Sequence, residues 1–159
     1  MDGVGKTTVA TKLAEKLKFK FVEKPLHYLL ELDNREKKEN YFRIIKEINS
    51  LDHNLRAWFY GLSNLYLYRK FKYENIVTDR HLVSNYSWNS QTSNEAIFNF
   101  LIEDLGFPDF SFLLYADNDT RQKRIYKRNC NDPDLETVFS RDEAYNRMKY
   151  FLTKHKCFF

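Results

Sequence analysis

Glycine is scarce in this chain. Its 159 residues include four glycines, where ordinary usage near 7% would give about eleven. Two of the four, Gly3 and Gly5, fall within the first five positions. Cysteine is scarcer still. Cys130 and Cys157 are the only two, too few for a disulfide framework and suited to a reducing cytosol. Three prolines and no Pro/Gly/Ser-rich stretch leave no linker. Residues 1–159 are therefore read as one domain, large enough to bury about 70% of its unfolded surface. The longest apolar runs span only a few residues, which excludes a transmembrane helix or a signal-peptide core. A cytoplasmic location with no membrane partner is expected. The four histidines and two cysteines show no zinc spacing. Charge of one sign is also lacking: 26 basic against 22 acidic residues leave +4. The basic residues are scattered, a poor electrostatic footprint for nucleic acid, so no nucleic-acid partner is expected.

What is present is ordinary globular material, 43% hydrophobic and 30% charged. Helix and strand signals alternate. Apolar Val9, Ala10, Leu13, Ala14 and Leu17 predict a helix over 7–17. Phe19 to Val22 reads as a short strand ending before Pro25. Residues 26–50 read as helical, and Leu55 to Phe71 as a long aromatic helix. Asn75 to Thr78 is a compact β-branched strand. Glu95 to Leu105 predicts a helix stopped by Gly106, with Pro108 beyond. Phe110 to Tyr115 is a continuous apolar run of the buried-strand kind. Two further helices are predicted, over 120–128 and 141–154. Cys157-Phe158-Phe159 looks like the start of another strand. Strands separated by long helices predict an α/β sandwich around a parallel sheet.

The strongest local signal opens the chain. Asp2-Gly3-Val4-Gly5-Lys6-Thr7-Thr8 is the second half of a Walker A loop, G-x-x-x-x-G-K-S/T. The first glycine of that pattern falls one residue before Met1. Backbone N–H groups at a helix N-terminus bind phosphate with help from the helix dipole. Gly3, Val4, Gly5, Lys6, Thr7 and Thr8 are thus the candidate ATP-binding residues. Lys6 would reach the β/γ-phosphates, and Thr7 would offer its hydroxyl to Mg²⁺.

Asp79-Arg80 follows the strand 75–78. In open α/β sheets ligands bind at that strand edge. Asp79 is the second candidate for Mg²⁺, and Arg80 for phosphate; an exposed ion pair closing a strand is the plainer alternative. Arg121, Arg124 and Arg128 recur at i, i+3 and i+7, ahead of the polar stretch Asn129 to Asp134. This spacing predicts a cationic lid over about 120–140 that closes on the donor, against the plainer reading of a solvated basic face. Phe59, Tyr60, Tyr66 and Tyr68 would either stack on a base or pack inward as helix aromatics do. Trp88, beside Asn85 and Asn89, is a candidate for acceptor contact. His81 is read as a loop or packing histidine.

These segments together resemble the thymidylate kinase family. Asp2 to Thr8, Asp79-Arg80-His81-Leu82-Val83-Ser84, Arg124 to Arg128 with Asp134-Leu135-Glu136, and Arg147 to Leu152 occur in that family's order. The resemblance implies a P-loop three-layer α/β/α sandwich and Mg²⁺-dependent transfer of the ATP γ-phosphate to dTMP. By position it makes Lys6, Arg80, Arg124 and Arg128 catalytic. It places Asp2 near the acceptor 3′-hydroxyl and Phe59 on the base. Arg80, Ser84 and Trp88 complete the acceptor side. A homodimer through the middle helices is the family habit.

The acceptor side departs from the pattern. The family's Arg-Glu-Pro-Gly is Glu23-Lys24-Pro25-Leu26, leaving Lys24 as the substitute cation. Ser63 stands where an arginine is usual, with Arg56 and Arg69 as candidate replacements. Two alternatives stay open: a deoxynucleoside kinase with Glu23 as general base, and a nucleotide-binding module without turnover. By the same resemblance, the strand before the loop and the last strand and helix are absent, so the chain is expected to be trimmed at both ends.

Overall fold

The structure, a computed structural model, describes residues 3–30, 35–136, 138 and 142–155. Helix α1, Lys6–Leu17, springs directly from Gly5, whose φ of 91° is left-handed. Glycine reaches that region at no steric cost. No side chain caps this helix start, and a helix N-terminus is where backbone N–H groups bind anions. The chain then enters β1, Lys20–Val22, which pairs in parallel with β2, Ile76–Thr78, in the register Lys20↔Ile76, Phe21↔Val77 and Val22↔Thr78. Helix α1 packs across both strands. Parallel strands must be joined by a crossover. Here it consists of α2 (Pro25–Leu29), α3 (Arg35–Ser50) and α4 (His53–Lys70).

Each later helix starts or stops on a local device. Asp52 caps α4 by accepting from the N–H groups of Asn54 and Leu55, the two-donor pattern of a good N-cap. Helix α5, Leu82–Asn89, follows β2 after the short Asp79-Arg80-His81 link. Helix α6, Glu95–Leu105, ends at Gly106. Helix α7, Asn118–Arg128, is capped by Asp117, and α8 spans Asp142–Lys154.

The main core lies where α5 packs between α4 and α8, with α6 against α4. Ala57, Leu82, Phe98, Leu101, Phe151 and Leu152 are all buried there. Gly61 makes the α4–α6 crossing close: a Cβ there would lie 2.6 Å from Leu101 Cδ1. A second cluster buries Val4 of the phosphate loop against Met148 of α8.

The chain is a mostly helical α/β protein with a small parallel sheet, and it departs from the sequence reading in three places. The helical stretch 26–50 is two helices, α2 and α3, with residues 31–34 outside the described set. Helix α5 was not anticipated, because Leu82 to Asn89 mixes serine and asparagine into its buried face. Most importantly, Phe110 to Tyr115 is not a strand. Among the described residues the sheet has two strands, and this segment pairs with neither. Leu113 and Leu114 pack inward, whereas Phe110 and Phe112 are 73% and 69% exposed. Two adjacent leucines facing inward break the in-and-out alternation of a strand, and among the described residues the backbone has no ladder partner. The expected strand at Cys157 to Phe159 lies outside the described residues.

Polar groups in the core are paired with unusual economy. Asn85 Nδ2 donates to Ala57 O at 2.9 Å, Asn89 Nδ2 to Asn85 Oδ1 at 2.8 Å, and Asn94 Nδ2 to Asn89 O at 3.0 Å. Arg147 of α8 donates to both O and Oγ of Ser90, at the end of α5. This chain of bonds ties α4, α5 and α8 together. Replacing Asn85 by Ala leaves the buried Asn89 amide without its acceptor, at about 1–3 kcal/mol, and removes the second bond to the helical carbonyl of Ala57. Asn85→Ala is expected to lower stability by about 2–4 kcal/mol in urea unfolding, while a solvent-facing control such as Asn54→Ala changes it by less than about 0.5 kcal/mol.

Candidate active site

The sheet brings the end of β2 beside the start of α1. Thr7 Oγ1 donates to Asp79 Oδ2 at 2.6 Å across 72 residues of chain. The other oxygen, Asp79 Oδ1, accepts from the backbone N–H of Lys24 at 3.2 Å. One carboxylate therefore holds three segments together: the phosphate loop, the exit of β1 and the exit of β2. Mg²⁺ prefers one or two protein oxygens, with phosphate and water completing its shell. A hydroxyl and a carboxylate side by side fit that demand. Among the described residues no group of three or more His, Cys, Asp or Glu side chains forms a metal cage.

Above this pair opens a cleft of about 410 Å³. Gly3, Gly5, Lys6, Thr7 and Thr8 form its floor. Arg124 and Arg128 reach in from α7, and Arg124 Nη1 donates to Gly3 O at 3.2 Å. Lys24, Asp79 and Arg80 close the inner side. Five cations thus face one carboxylate, the charge balance of a polyanion site. Val4, expected among the ATP-binding residues, does not line the cleft; its side chain is buried against Met148 and anchors the loop. Arg121 also departs from the cationic face. It is buried, and its Nη1 donates to Asn118 Oδ1 at 2.9 Å. Its backbone presses on Gly3, where a Cβ would meet Arg121 O at 2.9 Å. The cations that α7 turns to the cleft are therefore Arg124 and Arg128, with Arg128 also 2.5 Å from Asp132.

A second cavity of about 520 Å³ lies behind the first, between α4 and α5. Lys24 and Arg80 line both. Ser84 and Trp88, two of the acceptor candidates, line the second cavity, with Asn85 and Asn89 beside them. Phe59 does not line it; it packs edge-on against Tyr60, ring centroids 5.4 Å apart, and Tyr60 takes the cavity position. The physical reason is helical phase. Arg56, Tyr60, Ser63 and Asn64 fall at i, i+4, i+7 and i+8, one polar stripe of α4. That stripe was readable in the sequence, but Asn64 and Tyr41 were not singled out. Arg69 points elsewhere and pairs with Asp104 at 2.8 Å. Asp2 lies outside the described residues.

His81 begins α5 beneath Arg80, with its ring 5.3 Å from that of Tyr68. Burial of the imidazole pushes its pKa down from 6.5 to about 4. Tyr41 and Tyr60 are pushed above the usual phenol value, first by burial.

A phosphate loop opening a helix, a strand-end Asp-Arg pair across from it and a second cavity adjoining the cleft are the features of a P-loop nucleotide kinase. A model of the thymidylate kinase family matches residues 1–156, nearly the whole chain. The chain belongs to the thymidylate kinase family, and it is an ATP-dependent nucleoside monophosphate kinase, a phosphotransferase. No match is found among the curated proteins. Among the described residues no helix is long and apolar enough to cross a membrane.

The buried imidazole generates a pH dependence of known sign. Above about pH 6.5 His81 is neutral in both folded and unfolded chains. Between 6.5 and about 4 the unfolded chain binds a proton that the folded chain refuses, so stability falls as pH falls. The loss from this group is roughly 3 kcal/mol once pH drops to 4. His81→Gln is expected to flatten the decline between pH 7 and 4.5, measured as the difference between the two proteins' urea midpoints.

Proposed function

We propose that the chain transfers the γ-phosphoryl group of ATP to dTMP. The observation that supports this most directly is the pair of adjoining cavities that share Lys24 and Arg80. ATP would place its phosphates in the cationic cleft on Gly5, Lys6, Thr7 and Thr8. The acceptor would enter the α4–α5 cavity with its phosphate toward Lys24 and Arg80. An acceptor phosphate oxygen attacks the γ-phosphorus, the bond from that phosphorus to the β,γ-bridging oxygen breaks, and ADP leaves with the electron pair. Charge spreads over the transferred oxygens in such a transition state, and fixed cations stabilise it. Lys6, Lys24 and Arg80 supply them from below, and Arg124 and Arg128 from the lid segment. Mg²⁺, when bound, neutralises charge on the β- and γ-phosphate oxygens, and Thr7 and Asp79 are the residues that would hold it. Asp2 is assigned to the acceptor sugar by family position alone.

The position of Glu23 favours a monophosphate over a nucleoside acceptor. A nucleoside hydroxyl needs a positioned carboxylate base, whereas a phosphate oxygen is already an anion near neutral pH. Glu23 lines neither cavity. It lies 3.8 Å from Lys24 Nζ and 3.7 Å from His27 Nδ1 instead. A homodimer would use the exposed apolar face of α4 and α6, where Trp58 stacks near Phe100 with centroids 5.7 Å apart.

ADP release with ATP and Mg²⁺ is to be measured over dTMP, dUMP, thymidine and deoxycytidine. Turnover is expected with dTMP, and Lys6→Ala is expected to lower kcat by about 10²–10³-fold. Turnover of the nucleosides alone would reverse the assignment of acceptor. ATP binding without turnover of any acceptor would leave a non-catalytic nucleotide-binding module.

A further inference from the structure

The wall of the acceptor cavity contains buried polar atoms with no partner among the described residues. Arg56 Nε, Asn64 Oδ1 and His81 Nε2 are each shut from water and unbonded, and all three residues line this one cavity. Buried polar atoms in folded proteins are nearly always satisfied, so a cluster of exceptions calls for a missing partner. Asn64 is the most constrained of the three, at 5% exposure. Its Nδ2 donates to Tyr60 O at 2.8 Å, one turn back on α4. An amide cannot place its oxygen against a carbonyl, so this bond fixes which end is which. Oδ1 is left as a buried acceptor with no donor.

The neighbouring charges narrow the ligand further. Arg56 donates from Nη1 to Asn49 O at 3.4 Å and from Nη2 to His53 at 2.8 Å, while its buried Nε–H donates to nothing among the described residues. Among the described residues Lys24, Arg56 and Arg80 line the cavity, and no Asp or Glu does. A ring rich in amino groups, such as cytosine, wants a carboxylate acceptor. A ring with two carbonyls and a single N–H between them suits a wall of donors with one fixed acceptor.

We propose that Asn64 is the base-reading residue of this enzyme: its Oδ1 accepts the ring N–H of a keto pyrimidine, while Arg56 Nε–H donates to an adjacent ring carbonyl. The assignment rests on the reading of this cavity as the acceptor site. It gives the position vacated by the family's arginine at Ser63 a different solution, one residue along the same helix. A site built to hydrogen-bond a group rejects the analogue that lacks it, because its own polar atoms are then left unpaired.

The test uses the full chain with ATP and Mg²⁺ and three acceptors: dTMP, dCMP and N3-methyl-dTMP, which lacks only the ring N–H. The unmodified enzyme is expected to prefer dTMP over N3-methyl-dTMP by about 100-fold in kcat/KM, and to disfavour dCMP. Asn64→Leu keeps the side chain's shape and removes the acceptor. It is expected to lower kcat/KM for dTMP about 10-fold, to narrow the preference over the methylated analogue to within about 3-fold, and to leave KM for ATP unchanged. The free enzyme already leaves Oδ1 unpaired, so the melting temperature of Asn64→Leu is expected to stay within about 3 °C of the parent. A folded Asn64→Leu that still discriminates the two acceptors overturns the assignment, and so does equal use of both by the parent. If Asn64→Leu fails to fold, Asn64→Ser, which shortens the side chain away from the base, is read by the same ratio. Absence of turnover on every acceptor by the parent would instead count against the proposed function.

Discussion

The hydrogen bond from Thr7 to Asp79 is the contact on which the rest of the site depends. It joins the first turn of α1 to the end of β2, and through the other oxygen of Asp79 it also holds the backbone of Lys24 where β1 ends. Two strands of three residues each make a slight sheet. Most of the packing around them is helical. The carboxylate therefore does at the sheet edge what further strands would do elsewhere: it fixes the relative height of the loop, the cation at position 24 and the cation at position 80. These are the groups that must converge on a transferring phosphoryl group, and small errors in their placement weigh heavily on rate.

Division of labour between the two cavities follows from that placement. The outer cleft is made of backbone and long cations, which bind phosphate whatever carries it. The inner cavity adds amides, hydroxyls and aromatic rings from α3, α4 and α5 to its cations, groups that on the proposed reading would discriminate one ring from another. Lys24 and Arg80 sit where the two meet. The pattern explains why departures from the family sequence gather on one side. Changes at Lys24, Leu26 and Ser63 fall on the wall of the inner cavity, whereas Gly5, Lys6 and Thr7 keep their motif.

Much of this was legible in the sequence where a local rule governs a local structure. Gly5-Lys6-Thr7 announced a helix start that binds anions, and α1 begins at Lys6. Gly106 stopped α6 where a glycine should. The β-branched Ile76-Val77-Thr78 became β2 with Asp79 and Arg80 at its end. What was not legible depended on partners distant in the chain. Phe110 to Tyr115 has the composition of a strand, but a strand needs a ladder, and composition carries no information about whether one is there. Phe59 and Tyr60 are adjacent aromatics, and only the packing of α4 against α5 decides which faces the cavity. Arg121 shares the spacing of Arg124 and Arg128, yet the close approach of Gly3 draws it inside.

That approach has a mechanical consequence for α7. The backbone of Arg121 rests on Gly3 with no room for a methyl group between them, so this point of the helix moves only with the phosphate loop. Arg128 lies seven residues beyond it, roughly 10 Å along the axis at 1.5 Å per residue. Ile125, one turn beyond Arg121, is buried as well, and Arg124 donates to Gly3 O, so α7 is seated along one face and holds its guanidinium groups at a fixed height over the loop. The tolerance is small: a tilt of about 10° about Arg121 would carry Arg128 by about 2 Å, enough to make or break a hydrogen bond to a phosphate oxygen, and Arg124 by less than half as much.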